Sequence, residues 1–186
     1  MAKWRVGIIG NGGICKGAHL EEYLNDDRVE VVALCDIIEE RAQFLKDNYF
    51  PEADVYTDYK ELLKDETIDS VDICTPNYLH SIIAVAAFEA GKHVFCEKPD
   101  AVSVEEAVRM NEAAEKAGKT LMIMRNNRFV DASRYAKKYI EKGEMAKFTA
   151  AVAAGREEEA SPARVAGLLP KSSPAAVRLS TLAFIL

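Results

Sequence analysis

Short apolar runs rich in β-branched residues, each too short for a helix, recur along the chain at Trp4 to Ile9, Val29 to Cys35, Val71 to Cys74, His93 to Cys96 and Thr120 to Met124. Helical patterns separate them, over Ile14 to Leu24, Glu39 to Asn48, Tyr59 to Leu63, Leu79 to Ala90 and Val104 to Ala117, with a last one over Ser133 to Glu141. Strands that alternate with helices in this way form βαβ units, which place parallel strands in one sheet and cover both of its faces with helices. The punctuation agrees with the periodicity. Ser103 and Glu106 have the spacing of a capping box, and Ala90-Gly91-Lys92 and Ala117-Gly118-Lys119 are matching helix exits that lead directly into strands.

Composition narrows the class further. The chain has 186 residues, of which 49% are hydrophobic, enough for one ordinary domain, or one domain plus a fragment of another, with a buried core. A formal net charge of −6 without basic clusters speaks against nucleic acid or an anionic membrane surface as the main partner. The first residues run straight into a strand and no apolar run is long enough to span a bilayer, so the expected location is the cytoplasm. The four cysteines, 15, 35, 74 and 96, contain no C-x-x-C pair, and they read as small buried hydrophobes in a reducing compartment, with no metal centre expected.

The stretch Gly10-Asn11-Gly12-Gly13-Ile14-Cys15 follows the first strand and opens the first helix. Exposed N–H groups at the positive end of a helix form a seat for a pyrophosphate there, and glycine lets the backbone turn and come close. Asp36 ends the second strand, where a carboxylate accepts hydrogen bonds from adenosine ribose hydroxyls. Cys15 stands where a third Gly or Ala is usual. Asp36 is followed by Ile37 and Ile38 with no immediate cation to neutralise a 2'-phosphate, which favours NAD over NADP; Arg41, one turn on, reads as a surface helix charge.

Two more stretches, C-T-P-N-Y-L-H-S-I-I-A-V-A-A-F-E-A-G-K-H-V-F-C-E-K-P and N-N-R-F, add specificity. Thr75-Pro76-Asn77 ends one strand and begins a helix on the edge where the cofactor belongs, and Glu97-Lys98-Pro99 ends the next strand beside it. From about Lys3 to Met145 the sequence resembles the Gfo/Idh/MocA oxidoreductases, the relatives of glucose-fructose oxidoreductase and inositol 2-dehydrogenase. The resemblance implies a doubly wound Rossmann sheet over residues 1–145 that binds NAD. It carries over Lys98 as the polar catalytic residue near the nicotinamide and the substrate hydroxyl. Gly10, Asn11, Gly12, Gly13, Ile14, Asp36, Thr75, Pro76, Asn77, His80, Glu97 and Asn127 become the cofactor-contacting positions. The chemistry agrees with the lysine's role. A hydride leaves a carbinol carbon only as its hydroxyl proton is taken up, and an amine beside the cofactor's positive ring suits that task. Pro99 holds Lys98 in an extended backbone, and Glu97 is expected to point to the other side of the strand and help position the cofactor.

The departures from the family pattern are local. Where these proteins often read G-F-N-x-R-F-x-P, this chain has Met124-Arg125-Asn126-Asn127-Arg128-Phe129-Val130-Asp131. Arg125 replaces an aromatic residue and Asp131 a proline, which touches the substrate side. His19, His80 and His93 read as structural hydrogen-bonders near helix or strand ends.

Residues 146–186 depart from the pattern altogether, in an alanine-, serine- and proline-rich run. Synonymous codons permit the segment from Glu157 to Ile185 to be read in the neighbouring frame as R-R-R-G-I-P followed by G-G-G-P-L-I-D-L-G-V-H, which resembles the family's continuation. The expectation is a frame change near Met145 to Lys147 that replaces the family's C-terminal α+β domain, with its Asp and His, by a non-family tail. The sequence thus predicts an NAD-dependent oxidoreductase of the sugar or polyol type, present as its cofactor-binding half and catalytically impaired. Its expected partners are a small-molecule sugar or polyol in the full-length family and a second copy of itself. The alternative is a non-enzymatic dinucleotide-binding regulator or scaffold.

Overall fold

A computed structural model describes residues 2–142. The chain divides into two compact units, Met1–Met124 and the residues from Arg125 onward. The non-family segment and its proposed frame change lie outside the described residues.

The first unit is built on a six-stranded sheet in the order β3-β2-β1-β4-β5-β6. Its strands are β1 (Trp4–Ile9), β2 (Val29–Cys35), β3 (Asp54–Tyr56), β4 (Ser70–Ile73), β5 (His93–Cys96) and β6 (Leu121–Ile123), and every pairing is parallel. This is the doubly wound Rossmann order, in which the chain reverses direction of travel across the sheet between β1 and β4. The helices are α1 (Leu20–Asn25), α2 (Glu39–Asn48), α3 (Tyr59–Leu62), α4 (Asn77–Glu89) and α5 (Val104–Ala117). They fill both faces. Val6, Ile8, Val31 and Leu34 pack with Leu20, Ala42 and Leu45 in one cluster, while Ile9, Val71, Ile73 and Val94 pack with Ile83, Ala87, Phe88 and Met110 in the other. Ile8 and Ile9, neighbours in β1, thus serve opposite layers, as the period-two alternation of a strand requires.

β3 is the strand that periodicity misses. It has three residues, one β-branched, and lies at the sheet edge, too short to show a run; its placement is secured by pairing with Ala33 to Cys35. The first helix also differs from expectation. It opens with a π-helical turn, Cys15–His19, before α1, and both Cys15 and His19 face inward. Inserted turns of this kind recur at functional sites. Elsewhere the punctuation works locally: Ser103 Oγ accepts from Glu106 N at 3.2 Å, and Gly118 ends α5 in the left-handed conformation at φ +64°. No helix among the described residues is long and apolar enough to cross a membrane.

The second unit, taken by itself, opens with a 3-10 turn, Asn126–Phe129, followed by α6 (Asp131–Glu141). Asp131 lies in the first turn of α6, where a carboxylate favours the positive helix end, so the residue that replaces the family's proline still starts a helix. Lys137 and Glu141 pair one turn apart at 3.8 Å.

Candidate functional site

Pairing register brings the motifs together. Ile9 is level with Cys35 and Ile73, and Ile73 with Cys96, so β2, β1, β4 and β5 end in a row and their exits share one edge. Gly10 to Ile14, Asp36, Thr75 to Asn77, Glu97 and Lys98 follow those exits directly. Asn127 belongs to the 3-10 turn of the second unit.

At the β1–β2 end the site is made of backbone. Gly10 adopts φ +95°, and a Cβ there would lie 2.7 Å from the carbonyl of Cys74, so both conformation and space demand glycine. The turn is laced to its neighbours, since Gly10 N donates to Cys35 O at 2.7 Å and Cys74 N to Ile9 O at 2.8 Å. Gly12 and Gly13 differ from Gly10: a Cβ at either meets nothing within 4 Å, which leaves open space over the loop. Asp36 is buried and holds the loop's shape. Its Oδ2 accepts from Asn11 N at 2.8 Å and its Oδ1 from Ile38 N at 2.9 Å, with Arg41 Nη1 3.8 Å away. Each carboxylate oxygen retains capacity for a further donor.

These residues fit a dinucleotide. Open glycines leave room for phosphate, Asp36 can still accept from a ribose hydroxyl, and the buried Asn11 Oδ1 and Nδ2 and Thr75 Oγ1 have no hydrogen-bond partner. Buried polar atoms without partners are rare enough to mark a place where a ligand's groups belong.

The β4–β5 end is built from side chains. His19, 1% exposed, sits between Asp72 and Glu97, with Nδ1 2.7 Å from Asp72 Oδ2 and Nε2 3.0 Å from Glu97 Oε1. Tyr23 Oη donates to the same Asp72 oxygen at 2.9 Å, and Glu97 Oε2 accepts from Lys98 N at 2.9 Å. Burial opposes charge on the imidazole, but the hydrogen bonds and charges of Asp72 and Glu97 outweigh it and hold the His19 pKa at about 9. Burial and then Asp72 push the Tyr23 phenol well up. Cys74, raised chiefly by its hydrogen bond to Cys15 and by burial, lies 3.6 Å from both His19 Nδ1 and Asp72 Oδ1, while the same bond lowers Cys15. His19, Asp72 and Cys74 offer ligand atoms within 4.8 Å of one another. The imidazole and carboxylate already bond directly at 2.7 Å, closer than the roughly 3.4 Å that N and O ligands of one tetrahedral ion keep.

The expected site residues are therefore disposed in three ways. Lys98 is exposed at the strand end, as are Pro76 and Asn77. His80 is fully buried, with Nδ1 2.6 Å from Pro99 O and Nε2 2.9 Å from Thr75 O, so its ring ties the β4 and β5 exits together. Glu97 is turned into the protein, where His19 and the Lys98 amide engage its carboxylate. Sequence reasoning passed over Asp72 and Tyr23 and gave His19 no partner. One signal was available: Asp72 interrupts the apolar run of a central strand, and a buried carboxylate requires a partner. A groove of about 670 Å³ between α4 and α5, lined by Ile82, Val85, Arg109 and Glu112, lies on the helical face and away from these residues.

The fold order and the glycine-acid arrangement define a dinucleotide-binding Rossmann domain. The chain belongs to the Gfo/Idh/MocA family, whose profile, an oxidoreductase family with an NAD-binding Rossmann fold, matches residues 4–124. It is 41% identical over 138 residues to inositol 2-dehydrogenase of Salmonella typhimurium, covering 74% of this chain and 39% of that relative. Among solved structures it is similar to the WlbA dehydrogenase of Bordetella pertussis in complex with NADH and UDP-GlcNAcA, with TM-score 0.71 and 32% identity over 76% of this chain and 40% of that one. It is also similar to a variant of the 3-ketoreductase KijD10 of Actinomadura kijaniata in complex with TDP-benzene and NADP, with TM-score 0.70 and 26% identity over 76% and 43%. The relatives thus include sugar and polyol dehydrogenases, and both cofactors occur among them. The chain spans about two fifths of their length.

Proposed function

We propose that this chain is the cofactor-binding half of an NAD-dependent sugar or polyol dehydrogenase. The observation that carries the reading is the open loop at Gly12 and Gly13, set between the Asp36 carboxylate and the unpartnered Thr75 Oγ1. Gly10, Asn11, Gly12, Gly13 and Ile14 would hold the pyrophosphate, and Asp36 the adenosine ribose. Thr75, Pro76 and Asn77 would serve the remaining cofactor contacts, while the buried His80 and Glu97 would act from within by holding the β4 and β5 exits in place. When bound, the nicotinamide supplies hydride transfer; Lys98, exposed at the β5 exit, takes up the substrate hydroxyl proton.

NAD is preferred because two isoleucines follow Asp36, and a 2'-phosphate would face its carboxylate. Arg41, 3.8 Å from Asp36, is the residue able to reverse that preference. The domain assignment that goes with this reading is 1–145 for the NAD-binding part and 146–186 for the non-family tail. The permitted neighbouring-frame reading of the tail supports weak dinucleotide binding with negligible turnover. Cytoplasmic location and self-association complete the proposal.

Calorimetric titration with NAD, NADP and S-adenosylmethionine tests the ligand class, and turnover on a panel of sugars and polyols tests the activity. Binding of NAD with weaker binding of NADP is expected; binding of S-adenosylmethionine alone would end the reading. Sequencing the DNA across the codons for Met145 to Ile185 tests the frame change. Codons that do not spell the family continuation in the neighbouring frame would remove it.

A further inference from the structure

Carboxylates only accept hydrogen bonds, so a histidine that bonds one on each ring nitrogen must donate from both. His19 is in that position, between Asp72 of β4 and Glu97 just beyond β5. Asp72 is braced from below by the Tyr23 hydroxyl, and Glu97 has one oxygen left over, which accepts the amide hydrogen of the next residue, Lys98. The chain of bonds runs Tyr23, Asp72, His19, Glu97, Lys98 amide without a gap, and the three central side chains are at most 7% exposed.

We propose that His19 is a positioning residue for Lys98: clamped between Asp72 and Glu97, it fixes the Glu97 carboxylate, whose second oxygen then fixes the backbone from which the lysine rises. The inference rests on reading Lys98 as the proton acceptor, because a proton acceptor acts only when held within reach of its target. It gives the Glu-Lys order a physical basis. A carboxylate immediately before the lysine can cap the lysine's own amide while its other oxygen is anchored in the interior. The π-helical turn contributes as well, since it is the segment that delivers His19, together with Cys15, to the buried side.

The groups facing the ring are Asp72 and Cys74 from the β4 side, Glu97 from the β5 exit, Tyr23 from α1 and Cys15 from its own turn, with the Phe95 ring tilted against it at 5.7 Å. Two carboxylates dominate that set, and they keep the ring doubly protonated to about pH 9. A neutral imidazole has one N–H and can serve only one of them, so its deprotonation releases Asp72 or Glu97.

Two substitutions separate positioning from general support. Asparagine places an amide where Nδ1 was, and glutamine places one where Nε2 was. His19→Asn keeps the Asp72 contact and gives up Glu97, and His19→Gln does the reverse. Amide hydrogen exchange then reads the Lys98 N–H directly against core amides such as Ile8 and Leu34. The expected result is exchange at Lys98 faster by about tenfold or more in His19→Asn and within about threefold of the parent in His19→Gln, with the core amides moving together in both. Equal behaviour of Lys98 in the two variants would overturn the proposal.

Should either variant not fold, the unmodified chain decides. Carbon-13 NMR of the Glu97 carboxyl and the His19 ring should show a shared inflection near pH 9. A ring that titrates near its ordinary value of about 6.5, or a Glu97 carbon that does not respond to it, overturns the clamp. Titration of the unmodified chain with ADP-ribose and NAD is run alongside. Absence of binding there would count against the dinucleotide reading and leave the clamp to be judged on the Lys98 and Glu97 signals alone.

Discussion

The two ends of the site are built on opposite plans. At the β1–β2 end the backbone does the work: a glycine turn pinned by main-chain bonds, one carboxylate that shapes it, and open space above. At the β4–β5 end the work falls to buried charge, with an imidazole between two carboxylates and a tyrosine closing the chain. A backbone seat suits a ligand of fixed chemistry, because N–H groups and a helix end recognise any pyrophosphate. A side-chain network suits a place where a reactive group must be held at one angle, because packing and hydrogen bonds lock each rotamer. The contrast predicts that damage to the two ends should look different, in stability at the β4–β5 end and in ligand affinity, alone or together with stability, at the β1–β2 end.

The largest effect should come from His19→Leu. Removing the imidazole leaves Asp72 and Glu97 buried without their partner, a change that costs about 3–5 kcal/mol of folding free energy and is measured by denaturant unfolding. The same ring gives the parent a pH signature. Its folded-state pKa, about 9, lies above the unfolded value of about 6.5, so its contribution is fully present below pH 6.5 and is lost as pH rises through 9. The difference in pKa corresponds to about 3 kcal/mol. Unfolding free energies that stay level from pH 6.5 to 9 in the parent would contradict the charge assigned to His19, and in His19→Leu this slope should be gone.

Gly10→Ala comes next and tests the other end. The substitution forces an alanine to φ +95° and drives its Cβ against the Cys74 carbonyl, which together should cost about 2–4 kcal/mol. Because the turn is bonded to both β2 and β4, NAD affinity should fall with stability. A variant as stable as the parent would mean that the turn can relax away from Cys74, and the backbone plan would lose its main support.

The same contrast explains what could be read in advance. Gly10, Asp36, Thr75 and Lys98 could be singled out in advance because they stand just after strands, and strand ends are visible as the ends of apolar runs. The His19 network depends on three segments that meet in space, and no local pattern joins residue 19 to residues 72 and 97. Even so, Asp72, buried between the apolar Val71 and Ile73 of a central strand, announced that a partner must lie opposite it. The three-residue β3 was lost for a different reason: its place comes from pairing with β2, not from its own propensity. The π-helical turn is hidden because the apolar spacing of a helix shifts by only one residue when such a turn is inserted.

A smaller effect is expected away from both ends, at the start of α5. Ser103 Oγ accepts from Glu106 N, and Glu106 Oε2 reaches back to Val102 N at 3.3 Å. Ser103→Ala should cost about 1 kcal/mol, and dinucleotide affinity should not change. A loss of NAD binding in this variant would indicate that the sheet edge is more strongly coupled to its helices than the contrast allows.

The sharpest form of the comparison is the substitution with the least effect on stability. Gly12 and Gly13 have ordinary backbone conformations for any residue, and a Cβ at either meets nothing within 4 Å. Gly12→Ala should therefore fold like the parent, within about 0.5 kcal/mol. If the space above the loop is the pyrophosphate seat, the added methyl fills part of it and keeps the phosphates from the N–H groups, and NAD affinity should fall by about tenfold or more. Two measurements, unfolding free energy and calorimetric titration with NAD, then separate the plans: His19→Leu loses stability, Gly12→Ala loses affinity alone, and Gly10→Ala, whose turn is bonded to both neighbouring strands, loses both. Unchanged affinity in Gly12→Ala, in a chain that does bind NAD, would move the phosphate seat off this loop and leave the open glycines without a role.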